Sequence, residues 1–160
     1  MKALKITLPV LFLLSSLVFL TPLANASAPT TGSGSFTSVA TNIQIRQADG
    51  NTIITATEIQ TLSGFFTGTR VAEGIQVNHP DGTFTASDSG TFTGTVEGRS
   101  GTVVISGASS GVGDSGTGVI VADQGTGGLA TLRGQGTFQP RITGPTTAEG
   151  TYTLNFHFDP

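Results

Sequence analysis

The sequence predicts an all-β fold, and three observations carry that prediction. Runs rich in Thr, Val, Ile and Phe alternate with clusters of Gly, Asp, Asn or Pro at the spacing of a meander. No window of helical length carries an apolar stripe at i, i+3, i+4 and i+7. Good helix formers such as Lys, Leu and Ala are scarce beyond residue 26, whereas all 23 glycines lie there without a G-X-Y period.

The N-terminus reads differently. Lys2 and Lys5 precede an uncharged apolar run over residues 6–20, then Pro22 and the small-residue pattern Ala24-Asn25-Ala26. This is the layout of a secretory signal peptide over 1–26, cut after Ala26 or, as a fallback, after Ala28. A membrane anchor needs about 18 apolar residues, and this run ends short of that. The chain has no cysteine, so neither a lipoprotein anchor nor a disulfide is available. Both lysines lie in the leader, so the mature chain sets only arginines against ten Asp and Glu. That acidic balance excludes a phosphate-binding stripe and argues against nucleic acid as a partner. Residues 27–34 read as a flexible Ser/Thr/Pro spacer, and 35–160 as one domain.

Within that domain the candidate strands are 35–46, 52–61, 71–79, 83–95, 102–106, 118–122, 129–138 and 150–159. Between them stand Asp49-Gly50-Asn51, Pro80-Asp81-Gly82, Gly98-Arg99-Ser100-Gly101 and Gly125-Thr126-Gly127-Gly128, where Asp and Gly tolerate the backbone of tight turns. The stretch 107–118 reads as a flexible hairpin loop. The last strand alternates most clearly: Tyr152, Leu154, Phe156 and Phe158 share one face, and Thr151, Thr153, Asn155, His157 and Asp159 share the other. Eight such strands satisfy their edges either as a sandwich or as an up-and-down barrel.

Three segments narrow that choice. Residues 94–101 (GTVEGRSG), 125–136 (GTGGLATLRGQG) and 150–154 (GTYTL) together resemble bacterial domain-of-unknown-function family 3224, over most of the mature chain and most strongly from Phe84 onward. The resemblance implies a single antiparallel barrel, similar to the allene oxide cyclase and dirigent barrels, and no established activity. It also implies an acidic residue shortly before the Phe-x-Gly of the central strand; here Gly90 stands at that place, before Phe92-Thr93-Gly94.

Several motifs look catalytic and lack their context. Residues 103–113 (VVISGASSGVG) match the strand and glycine loop of a short-chain dehydrogenase, but no helix follows to receive a pyrophosphate, so no cofactor is expected. Residues 107–111 match G-x-S-x-G, again without the strand-to-helix turn of a nucleophile elbow. His79 with Asp81, and His157 with Asp159, lack the ligand spacing of a metal site. Glu97, Arg99 and Arg133 lie in the family-like segments and are the candidate ligand-binding residues, a charged cluster at a barrel mouth that could take an anion. Their alternative is that Glu97 and Arg99 flank a tight turn and Arg133 pairs with a surface carboxylate, contributing little.

The expected function is that of an exported barrel, periplasmic or extracellular and free of the membrane after cleavage, holding a small, partly apolar molecule. The alternatives are an isomerase or cyclase with carboxylates in a cavity, and a structural module that forms a homo-oligomer.

Overall fold

The computed structural model describes residues 28–160. The signal peptide expected over 1–26 lies outside the described residues. Eight strands follow one another: β1 (Thr30–Ala48), β2 (Asn51–Gly64), β3 (Phe66–Asn78), β4 (Thr83–Val96), β5 (Arg99–Val112), β6 (Ser115–Gly127), β7 (Leu132–Gly144) and β8 (Thr147–Phe158). Each pairs antiparallel with the next, and β1 pairs with β8 to close the barrel. The eight strands and the barrel are those expected from the sequence.

Turn chemistry fixes the hairpins. Asp49 and Gly50 both have positive φ, as do Glu97 and Gly98, the backbone of a two-residue turn whose twist matches its flanking strands. One ladder shift between Thr41 and Gln44 and another between Thr102 and Val104 mark bulges that bend the wall.

Several local expectations differ from the structure; β3, for one, begins at Phe66 rather than 71. The spacer at 27–34 is strand from Thr30, because β8 pairs with it from Thr30↔Phe156 to Val39↔Thr147 and long-range hydrogen bonds override its composition. The loop at 107–118 is the paired end of β5 and start of β6, turned by Gly113 and Asp114. Strand β7 begins at Leu132 rather than 129, since Leu129 is tucked inward by a turn in which its N–H donates to the Thr126 carbonyl at 3.1 Å.

The core is concentrated at one end of the barrel. Phe66, Phe92, Val96, Val103, Leu132 and Leu154 are fully enclosed there. Phe66 meets Phe92 edge to face at 5.0 Å between ring centroids. Tyr152 joins this core while its hydroxyl accepts from the Phe66 N–H at 2.8 Å and donates to the Ser63 carbonyl at 3.0 Å. The alternation read in the last strand holds, with Tyr152, Leu154, Phe156 and Phe158 all buried.

Candidate functional site

The other end of the lumen is open, and the sequence explains why. Inward-facing Phe36, Phe84 and Phe138 stand directly opposite inward-facing glycines: Gly150, Gly111 and Gly118. A Cβ on Gly150 would come within 2.6 Å of the Phe36 ring, on Gly111 within 2.6 Å of Phe84, and on Gly118 within 2.3 Å of Phe138. Each ring therefore lies against the wall in space that only glycine leaves free, and the axis stays clear. The result is a cavity of about 130 Å³, also bordered by Ile120, Ile142 and Ala148. For scale, an engineered cavity of roughly 150 Å³ accommodates benzene.

One wall of this cavity is polar. Ser38, Glu58, Gln60, Arg70 and Asp88 come from four consecutive strands, β1 to β4, and all line the cavity. Register positions them: Gln60 lies opposite both Ser38 and Arg70. Ser38 Oγ donates to Glu58 Oε2 at 3.2 Å, and Gln60 Nε2 donates to the same oxygen at 2.9 Å. Arg70 Nη1 donates to Gln60 Oε1 at 3.0 Å, while Nη2 donates to the Asp88 carboxylate and to the Ile105 carbonyl, the latter at 2.7 Å. Arg70 is only 3 % exposed, so its charge is held by the Asp88 ion pair in a desolvated setting.

Two groups of this row are unanswered. Arg70 Nε is buried without an acceptor among the described residues. Glu58 Oε1 accepts no hydrogen bond from them, and none of their cations pairs with Glu58. Two carboxylates against one guanidinium leave the polar wall with negative charge in excess. Glycine again makes the room: a Cβ on Gly74 would lie 3.1 Å from Glu58 Oε1, and one on Gly107 would lie 3.2 Å from Asp88 Oδ2.

Sequence reasoning missed this row, though a signal was present. Arg70 is in phase with buried Phe66 and Ala72, and Asp88 is in phase with Phe84 and Phe92. A charge in step with buried apolar positions on one strand must face inward. Gly90, where the resemblance implies an acidic residue, has no space for one, since even its Cβ would lie 2.2 Å from the Val71 carbonyl. Asp88, two residues earlier on the same inner face, presents a carboxylate instead.

The candidate residues from the sequence sit elsewhere. Glu97 occupies the β4–β5 turn. The Arg99 guanidinium lies 3.9 Å from the centroid of the Phe158 ring, and Arg133 pairs with Asp159 at 3.2 Å. All three cluster at the packed end, and none borders the cavity. Ser109, the serine of the G-x-S-x-G match, does border it, but within β5, which continues into β6. His79 Nδ1 lies 2.8 Å from Asn51 Oδ1, and His157 Nε2 lies 3.0 Å from Asp159 Oδ1. Among the described residues no three His, Cys, Asp or Glu side chains stand together as metal ligands do.

The family model DUF3224, a protein of unknown function, matches residues 30–156. A DUF3224-family protein of unknown function from Shewanella oneidensis MR-1 has a similar structure, with 19% identity, a TM-score of 0.65, and cover of 83% of this chain and 100% of that one. The pterocarpan synthase dirigent protein GePTS1 is similar at 15% identity and a TM-score of 0.46, over 83% of this chain and 92% of that one. No curated protein matches in sequence.

Proposed function

The chain belongs to the DUF3224 family of proteins of unknown function, and from the lumen just described we propose that it is an exported barrel that binds a small, partly apolar molecule inside. The observation that carries this reading is the cavity itself. Three rings held flat against glycines keep about 130 Å³ open beside a polar wall, where larger side chains would have filled an eight-stranded barrel. An apolar pocket with a few convergent polar groups is the usual form of a small-molecule site. Export is supported by Lys2, Lys5, the apolar run and Ala24-Asn25-Ala26.

The test has two parts. Intact mass spectrometry of the chain recovered from an expressing bacterium should give a form beginning at Ser27, and a mass that retains residues 6–20 overturns export. Native mass spectrometry should then find a small molecule bound to the folded chain, and NMR on its release should shift resonances of Phe36, Phe84 and Phe138. Shifts confined to the outer face would overturn luminal binding.

A second reading, an isomerase or cyclase, draws on Glu58 and Asp88 as carboxylates inside the cavity. Conversion of the copurified compound by the purified chain, lost in Asp88→Asn, distinguishes it from simple binding.

A further inference from the structure

The polar wall constrains the ligand's head group. Resting on the luminal-binding reading, we propose that the ligand is a neutral molecule whose head both donates and accepts a hydrogen bond, a hydroxyl or a carboxamide on an apolar body, and that carboxylates and other anions are excluded. The charge balance supplies the first half of the argument. Both Nη atoms of Arg70 are engaged, by Asp88, Gln60 and the Ile105 carbonyl, so its charge is already balanced by Asp88 and only its Nε–H is left to meet a neutral acceptor. No cation among the described residues pairs with Glu58, and an anionic head beside it would meet a like charge. The approach is acidic as well. Asp49, Asp81 and Asp114 lie in three of the four hairpin turns around the open end, and Asp114 itself borders the cavity.

The unanswered groups supply the second half. Glu58 Oε1 accepts from none of the described residues, and the buried Arg70 Nε–H has no acceptor among them. An ammonium answers only the first, and a hydrocarbon answers neither. A hydroxyl or a primary amide answers both without adding charge. The rings of Phe36, Phe84 and Phe138 receive the apolar body.

Five probes sharing one ring and differing in the head test this on the mature chain: benzyl alcohol, benzamide, benzylammonium, benzoate and toluene. Titration calorimetry or NMR should place benzyl alcohol and benzamide at least about tenfold tighter than benzoate, a difference of about 1.4 kcal/mol. Raising salt should strengthen benzoate and leave benzyl alcohol unchanged, because only the repulsion is screened. In Glu58→Gln the benzoate penalty should shrink to about threefold or less on the same scale. Benzoate or benzylammonium binding more tightly than benzyl alcohol, or toluene binding equally well, overturns the proposal and leaves luminal binding standing. If none of the five binds, luminal binding itself falls.

Discussion

The two ends of this barrel use the same inward-facing positions for opposite purposes. At the packed end, rings meet rings across the axis, as Phe66 of β3 meets Tyr152 of β8 at 5.8 Å, and the lumen is filled. At the open end, rings meet glycines along the wall, as Phe138 meets Gly118, and the lumen stays clear. The total number of aromatic side chains is not what separates core from cavity. Nor is a glycine opposite a ring peculiar to the open end, since Tyr152 faces Gly34 and Phe156 faces Gly134 in the packed core; what differs is whether further rings from non-neighbouring strands fill the axis.

The comparison is broken most directly by removing one ring from each end. Phe92→Ala should lose about 3–5 kcal/mol in urea denaturation, the cost of deleting a buried aromatic side chain. Phe36→Ala should lose about 1–2 kcal/mol, because the ring already faces a cavity and only part of its transfer energy is forfeited. Equal losses would mean that the two ends are packed alike. Between these lies Asp88→Ala at about 3 kcal/mol, near the lower end expected for stranding a buried guanidinium. Replacing Arg70 and Asp88 together by Met and Leu should recover much of that loss and isolate the ion pair from its cavity.

A smaller effect comes from Tyr152. Burial raises its pKa above the ordinary value of 10.0, against the opposing pull of the Phe66 N–H. The folded state therefore favours the protonated phenol. The stability this contributes is complete below the unfolded pKa and is lost as pH rises from about 10 through the folded value. Tyr152→Phe should flatten that alkaline decline, and an unchanged slope would place its origin elsewhere. Smallest of all, His157→Ala should change stability by no more than about 0.5 kcal/mol. Its side chain is 37 % exposed and pairs only with Asp159 among the described residues.

The fold was legible because alternation and turn chemistry are local. Tyr152-x-Leu154-x-Phe156-x-Phe158 declares its buried face without any partner strand, and Asp49-Gly50 declares its turn. The cavity was far less legible because it depends on register between strands. Gly111 reads as a loop residue and Gly118 and Gly150 as plain strand starts in isolation, and only the pairing to Phe84, Phe138 and Phe36 gives them their meaning. For the same reason Glu97, Arg99 and Arg133 drew attention by lying in family-like segments. Arg70 and Asp88, on strands that look unremarkable alone, became a pair only through the β3–β4 ladder.

The seam between β1 and β8 has a consequence for how the chain folds. Every other ladder joins neighbours in sequence, so those hairpins can form as soon as both arms exist. Thr30 finds Phe156 only after the whole meander is available, and until then β1 presents an unpaired edge. A second copy of β8 offers that edge the same register as the chain's own. Strand exchange between copies is therefore the misassembly this topology invites, and a chain truncated before Thr147 should aggregate through β1 rather than remain an open monomer.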